Sequence, residues 1–156
     1  MESQIVDLLI SHHQVFIRSM PYQNDLAQWG KGNLCQGMIL HKNFVIFDPI
    51  AEGTFGARIN LYLKKDFDRD ENSKRAVAVP FYIDKNVEVF IGSVAEEYAV
   101  NLNLSEGDFM IFYEVCVKEE VYLNFTFIKT KNTYFSVLID DEFGLKTTTK
   151  LVSGIF

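Results

Sequence analysis

Apolar and polar residues alternate along most of this chain, and the alternation is clearest between residues 76 and 113. The apolar positions there fall two residues apart in four runs, at 77–83, 87–91, 98–104 and 109–113, with turn residues at 84–86 and 106–108. Successive side chains of a β-strand point to opposite faces, so a period of two predicts strands with one buried face. Short polar turns between such runs predict antiparallel neighbours.

The same period recurs on both sides of this stretch. Further strands are predicted at 38–40, 43–47, 57–64, 109–117, 121–127 and 135–139. Residues 4–18 are predicted to form one long strand bulged at His12 and His13, or a hairpin, because their β-branched content disfavours a helix. Asp25 is predicted to cap a short helix that ends at residues 30–33.

These elements predict an all-β fold, a single antiparallel β-sandwich of about eight or nine strands with at most one short helix. The length of 156 residues and the 48% hydrophobic content predict one domain over residues 1–156. Within it, residues 145–156 are expected to be a loosely attached tail or to add a short strand. Pro80 lies inside a strand pattern and has no N–H, so it is predicted at a sheet edge or a bulge.

Composition and charge narrow the classes of function. Acidic residues outnumber basic ones by 21 to 15, for a formal charge of −6, which disfavours direct binding of DNA or RNA. Cys35 and Cys116 are far apart and match no zinc or redox motif, so both are predicted to be reduced and buried. The absence of a signal peptide and of a membrane-length apolar run predicts a cytoplasmic protein.

Residues that catalyse reactions or bind metals are sparse in this chain. His12 and His13 are adjacent, so as strand residues they would face opposite sides of a sheet. The run 66–71 opens like an EF-hand calcium loop, but Glu71 stands where that loop needs glycine and Val77 where it needs glutamate. No motif for a nucleophile or a phosphate-binding loop is present. We therefore predict no metal, no cofactor and no catalytic residue.

Acidic residues concentrate at predicted turns, at 66–71, 96–97, 119–120 and 140–142. Charged turns keep β proteins soluble and shield their sheet edges, which is a sufficient explanation for each cluster alone. If two or more clusters meet at one end of the sandwich, they would instead form a negative surface that attracts a positively charged partner. The sequence leaves both interpretations open.

Three segments, in order along the chain, resemble the competence protein J family. They are ISHHQVF at 10–16, the Trp29-Gly30 loop, and VAVPFYIDKNVEVFIGSVAEEYAVNLNLSEGDFMIFYEV at 77–115. The resemblance implies a non-enzymatic protein that binds and inhibits a nuclease. The matching positions, most of which we interpret as structural, are Ile10, His13, Gln14, Val79, Pro80, Phe81, Gly107 and Asp108. Among these, His13 and Gln14 are the candidates for contact with a partner.

The resemblance and the acidic turns together predict a basic nuclease protein as the partner. The predicted partner-binding residues are Asp66, Asp68, Asp70, Glu71, Asp140, Asp141, Glu142, His13 and Gln14. Direct binding of nucleic acid and a membrane span are not expected, and the choice between monomer and homodimer stays open. We expect a cytoplasmic protein that lies at the membrane periphery only if its partner is located there.

Two other classes of function remain open on the sequence alone. A β-sandwich that binds a small molecule or a carbohydrate would use exposed aromatic residues such as Tyr62, Tyr82 and Phe90 on one concave face. An enzyme without a sequence motif would need at least two of the three histidines to meet an acidic residue in a pocket.

Overall fold

The computed structural model describes residues 1–156 and consists of two β-sheets, one short α-helix and one 3₁₀ turn. The strands are β1 (Glu2–Ile10), β2 (Val15–Arg18), β3 (Met38–Leu40), β4 (Phe44–Phe47), β5 (Phe55–Leu63), β6 (Ser73–Ile83), β7 (Phe90–Gly92), β8 (Glu97–Ala99), β9 (Gly107–Val117), β10 (Val121–Lys129) and β11 (Ser136–Val137). A six-stranded sheet has the order β1-β5-β10-β9-β6-β11, and a five-stranded sheet has the order β3-β4-β2-β7-β8. The predicted all-β fold is confirmed, with more strands than expected because several short ones complete the five-stranded sheet. No helix has the length and apolarity that crossing a membrane requires.

The two sheets share one core. Alternate side chains of the long strands point inward, and 30 buried residues form one cluster between the sheets. Aromatic rings fill its centre: Phe47 stacks on Tyr113 with ring centroids 4.2 Å apart, and Phe125 lies 5.1 Å from Tyr113. Burying one such ring contributes about 1.5–3 kcal/mol. The inward period of two is therefore a main source of the stability of this fold.

One pair of neighbouring strands departs from the predicted antiparallel arrangement. β5 and β10 run parallel, with Arg58 opposite Tyr122 and Leu63 opposite Phe127, whereas every other pair is antiparallel. The β9–β10 hairpin lies between β5 and β6, which leaves β10 parallel to β5. The hydrophobic period shows which residues face the core, but it does not show which strands become neighbours.

Pro80 lies at a sheet edge, as predicted. β11 pairs with β6 only at Val77 and Ala78, so residue 80 has β9 on one side and no strand on the other. The Tyr82 N–H points away from β9 and donates to the Lys42 carbonyl at 2.9 Å. Pro80, two residues earlier, has the same backbone orientation, so its missing N–H removes no hydrogen bond between β6 and β9.

His12 and His13 form a tight turn between the two sheets. β1 belongs to the six-stranded sheet and β2 to the five-stranded sheet, so the long bulged strand predicted for residues 4–18 is wrong. Both histidines are exposed and have positive φ, 58° for His12 and 55° for His13. The flanking residues, Ser11 and Gln14, form a single antiparallel bridge. Two central residues with positive φ are the geometry of a type I′ turn, which favours asparagine and glycine.

Replacing His12 with asparagine and His13 with glycine is expected to raise the free energy of unfolding by about 1–2 kcal/mol, because residues other than glycine and asparagine are strained at positive φ. Chemical denaturation of the purified H12N/H13G variant measures this difference. The matched control is H12A/H13A, which removes the same two rings but keeps Cβ atoms at both positions. An equal gain in both variants would show that the rings, and not the backbone, cause the strain.

Gly30 begins a helix, whereas the sequence predicted that a helix ends there. α1 spans Lys31–Gln36, and Asp25 lies inside the preceding 3₁₀ turn, Asn24–Ala27, without capping it. The Gly30 N–H donates to the Asn33 side chain at 3.1 Å, which fixes the first turn of α1. The prediction misplaced the helix because it treated the glycines as a stop signal.

The C-terminal residues pack on α1 and β3. The Gly154 N–H donates to the Leu40 carbonyl at 2.8 Å and so covers the edge of β3. The buried side chains of Asn33 and Gln36 hydrogen-bond the backbone of residues 152–156. Residues 145–156 were predicted to form a loose tail or a short strand. The side-chain amides of Asn33 and Gln36, more than 100 residues earlier in the chain, attach the last of these residues to α1.

Candidate functional site

Four acid-bearing loops meet at one end of the six-stranded sheet. The strand registers place the start of β5, the β9–β10 turn, the start of β6 and the segment after β11 at that end. We call this surface the acidic end, and its exposed acidic residues are Glu52, Glu71, Glu119, Glu120, Asp140 and Glu142. His13 lies at the far corner of the same end, five strand spacings or about 24 Å from the β11 side.

The acidic end carries more acids than bases. The exposed basic residues there are Arg58, Arg69, Lys74, Lys118 and Lys146, five against the six exposed acids. The chain forms two ion pairs, Arg18–Glu97 and Arg75–Asp141. Neither pair involves an exposed acidic or basic residue of the acidic end. The exposed carboxylates of this end are therefore available to a positively charged partner.

Residues 64–72, which we call the strap, cross the outer face of the six-stranded sheet between β5 and β6. Phe67 anchors the strap by stacking on Phe112 of β9, with ring centroids 4.4 Å apart and planes 13° apart. Asp66 and Asp68, on either side of Phe67, are exposed and have no hydrogen-bond partner in the chain. The strap thus holds two predicted partner-binding carboxylates away from the sheet.

Asp70 fastens the strap to the sheet beneath it. Its carboxylate accepts hydrogen bonds from the Asn72 N–H at 2.8 Å, the Tyr122 hydroxyl at 2.8 Å and the Asn124 amide at 3.0 Å. Burial raises the pKa of Asp70, but the hydrogen bonds that it accepts outweigh burial and hold the pKa below its usual range. Asp70 is therefore charged at neutral pH and fully engaged within the chain.

A row of polar side chains lies buried under the strap. The Asp70 N–H donates to Glu114 at 2.8 Å, and the Asn60 amide donates to the Asn124 side-chain oxygen at 2.9 Å. Burial raises the pKa of the Glu114 carboxyl despite the hydrogen bonds that it accepts. Asn60 is buried although it alternates with the core residues Ile59 and Leu61 of β5.

A polar depression of about 500 Å³ lies beside this row at the acidic end. Its lining includes Asp70, Asn72, Glu119, Glu120 and Tyr122. Burial, together with the hydrogen bond to Asp70, raises the pKa of Tyr122 to about 12, so its hydroxyl remains a donor at neutral pH. The lining also includes Arg58 and Lys118, so the depression carries both signs of charge and does not by itself select a cationic group.

Asp141 is buried in an ion pair and faces away from solvent. Its carboxylate accepts the Arg75 Nε–H at 2.8 Å, and the side chains of Arg75 and Asp141 are 4% and 0% exposed. Burial raises the pKa of Asp141, but its bonds to Arg75 and to the Leu145 and Phe143 N–H groups outweigh burial and lower the pKa. Asp141 thus ties the segment after β11 to Arg75 of β6, and its carboxylate is not available to a partner.

Gln14 is buried, whereas His13 next to it is exposed. The Gln14 side-chain oxygen accepts the Trp29 indole N–H at 3.3 Å, and its backbone carbonyl accepts the Ser93 hydroxyl at 2.7 Å. These contacts give Gln14 a structural role at the change of sheet. They also connect the His-Gln pair to the tryptophan loop.

The structure therefore divides the predicted partner-binding residues by exposure. The exposed ones are His13, Asp66, Asp68, Glu71, Asp140 and Glu142. Asp70 is half-buried, and Gln14 and Asp141 are buried. Glu71 and the acids after β11 lie at the same end of one sheet, whereas Asp66 and Asp68 lie farther along the strap, on either side of the Phe67–Phe112 contact in the middle of β9. Contact with a partner stays a prediction.

The aromatic residues considered for carbohydrate binding do not form one patch. Tyr62 and Tyr82 lie on β5 and β6, which are separated by β10 and β9, and Phe90 lies in the other sheet. Each ring faces a cation instead: Lys64 lies 4.5 Å from the Tyr62 ring, and Arg18 lies 4.3 Å from the Phe90 ring. No shared concave aromatic surface supports this alternative.

The three histidines do not converge either. His41 lies in the β3–β4 turn, where its Nε2 is 2.9 Å from the Leu26 carbonyl oxygen. His12 contacts only the neighbouring Ser11 hydroxyl, at 3.1 Å. No group of three or more His, Cys, Asp or Glu side chains has a geometry that holds a metal ion. The arrangement that a histidine-based enzyme would require is therefore not formed.

Comparison with known proteins assigns the family. The model of the competence protein J (ComJ) family matches residues 7–128. A solved structure with the same fold is that of ComJ from Bacillus subtilis, inhibitor of the DNA degrading activity of NucA. It matches with a TM-score of 0.66 and 15% identity, over 83% of this chain and 98% of that one. The product of crocagin biosynthetic gene J matches with a TM-score of 0.50 and 9% identity, over 81% of this chain and 98% of that one. No curated protein sequence matches. Because the family model spans well over half of the sequence, this chain belongs to the competence protein J family.

Proposed function

We propose that this protein binds a nuclease and inhibits its degradation of DNA. The observation that carries the proposal is membership of the competence protein J family, in which a protein of the same fold inhibits the DNA degrading activity of NucA. The protein acts by occupying a surface of the nuclease and not by chemistry of its own. The free cysteines Cys35 and Cys116 are consistent with work in a reducing compartment, the cytoplasm.

The acidic end is the surface that we propose for nuclease contact. A nuclease binds DNA through a positively charged groove, and a negative surface is attracted to the same groove. The exposed carboxylates of the acidic end and of the strap are unpaired within the chain, so binding does not require breaking an existing ion pair. Inhibition then follows because the protein and DNA compete for one basic surface.

The test is inhibition of DNA degradation by the DNA-uptake nuclease of the organism that encodes this chain. We expect full inhibition near one equivalent, and an association rate that falls as salt rises. Reversing two charges at the acidic end, as E119K/E120K, should slow association about 10-fold at low salt. The matched control, E88K/E106K, adds the same charge at the opposite end of the sandwich and should change the rate less than about 2-fold.

Three results separate the parts of this proposal. Failure of the unchanged protein to bind or inhibit the nuclease would overturn the function. An association rate that does not respond to salt would remove the electrostatic account and leave inhibition standing. Equal effects of E119K/E120K and E88K/E106K would show that overall charge, and not the acidic end, determines association.

A further inference from the structure

A groove of about 660 Å³ lies at the β11 side of the acidic end. Its walls are the segment after β11 and the strand ends of β6 and β9, and its lining includes Lys74, Val117, Asp140, Glu142 and Phe143. Unlike the polar depression beside the strap, this groove has apolar side chains on facing walls. Val117 is 39% exposed and Phe143 is 47% exposed, although each adjoins a well-packed part of the fold.

Phe143 is exposed but held rigidly. Its N–H donates to the Asp141 carboxylate at 2.8 Å, and its carbonyl accepts from the Arg75 guanidinium at 3.4 Å. The buried ion pair thus fixes the backbone of Phe143 on both sides. The guanidinium carbon of Arg75 also lies 5.8 Å from the centroid of the Phe143 ring. An exposed aromatic side chain on a fixed backbone loses less conformational entropy when a partner covers it than one on a mobile backbone.

The charges around Phe143 indicate what would cover it. Asp140 and Glu142, the exposed acidic residues nearest to Phe143 in sequence, form no ion pair within the chain. Only one Asp140 oxygen is engaged, by the Thr147 N–H at 2.7 Å. The groove lining also includes Arg69 of the strap and Lys74 of β6, so the free carboxylates belong to the segment that carries Phe143. An apolar contact with carboxylates on that side is complementary to an apolar side chain with lysine or arginine beside it.

We propose that Phe143 is the central anchor of the nuclease contact. The groove takes an apolar side chain of the nuclease, and lysine or arginine residues beside that side chain pair with Asp140 and Glu142. This inference rests on the proposed function and names the part of the acidic end that contributes most to affinity. Aromatic anchors buried near the centre of an interface commonly dominate its affinity.

The experiment measures the dissociation constant for the same nuclease with three variants. F143A should weaken binding about 30-fold, the effect expected of an interface anchor. V117R places a charge on the opposite wall of the groove and should weaken binding at least about 10-fold. This variant tests the groove independently of F143A. The matched control is Y134A, which removes an aromatic ring that is 49% exposed and precedes β11.

The outcomes distinguish this inference from the function on which it rests. If the unchanged protein binds, and F143A and V117R weaken binding while Y134A does not, the anchor is supported. If the unchanged protein binds and F143A equals Y134A in affinity, the anchor is overturned and the nuclease inhibitor function stands. If the unchanged protein does not bind the nuclease, both are overturned. Circular dichroism melting of each variant ensures that only folded proteins are compared.

Discussion

Replacing Asp141 with asparagine is expected to lower the free energy of unfolding by about 3–5 kcal/mol, because it leaves a buried charge on Arg75 without its counter-ion. Arg75 and Asp141 are both almost fully buried, so water cannot replace the missing partner. Asparagine keeps the size of the side chain, so the loss reports the charge and not a cavity. Urea denaturation of the purified variant measures the difference.

The second ion pair of the chain is the control for this result. Arg18 and Glu97 lie at the surface, where the Glu97 side chain is 35% exposed, and E97Q should cost less than about 1 kcal/mol. A double variant with apolar residues, R75M/D141L, should recover much of the loss because no unpaired charge remains. Equal losses in D141N and E97Q would contradict a special role of burial.

Acid should weaken the same contact. The pKa of Asp141 is lower in the folded protein than in the unfolded chain. Its contribution to stability is therefore complete above the unfolded pKa, near 3.9, and is lost as pH falls through the folded value. D141N has no carboxyl at this position, so the stability difference between the unchanged protein and D141N should shrink below about pH 4.

Replacing Asp70 with alanine is expected to lower the free energy of unfolding by about 2–4 kcal/mol, since several hydrogen bonds to a charged group are lost together. The donors left behind belong to Asn72, Tyr122 and Asn124, and the Asn124 amide is buried. The strap should loosen locally as well. Hydrogen exchange of residues 64–72, measured beside urea denaturation, separates local from global loss.

Asp68 supplies the matched control for Asp70. It lies on the same strap and is exposed, so D68A should change the free energy of unfolding by less than about 0.5 kcal/mol. The pKa of Asp70 is also lowered by folding, so the D70A deficit should shrink as pH falls through the folded pKa. Similar effects of D70A and D68A on exchange of the strap would show that Phe67, and not Asp70, holds it.

These two carboxylates also affect how nuclease binding should be tested. Asp70 and Asp141 were predicted as partner contacts, yet both are engaged within the fold. Their removal would lower inhibition by unfolding part of the acidic end. Variants of the exposed acids, such as Glu119, Glu120 and Glu142, report contact with a nuclease more directly.

The sequence alone determined the long strands β5, β6, β9 and β10 and their buried faces. Val77, Val79, Phe81 and Ile83 all face the core, because a strand must bury every second side chain. Pro80 was placed correctly for a similar reason. Proline has no N–H to donate to a neighbouring strand, so it is found at a sheet edge or a bulge whatever the rest of the fold is. Such features depend on neighbours in the chain and can be read without knowing the fold.

Only the tertiary structure decided which acids are free and where they meet. Asp141 lies between the exposed Asp140 and Glu142, but Arg75, from a distant strand, buries it. Asn60, which alternates with core residues on β5, is likewise buried and bonded to Asn124 of β10, and the parallel pairing of β5 with β10 brings acid-bearing loops to one end. Burial and charge pairing depend on contacts between residues far apart in sequence, and a hydrophobic period carries no information about those contacts.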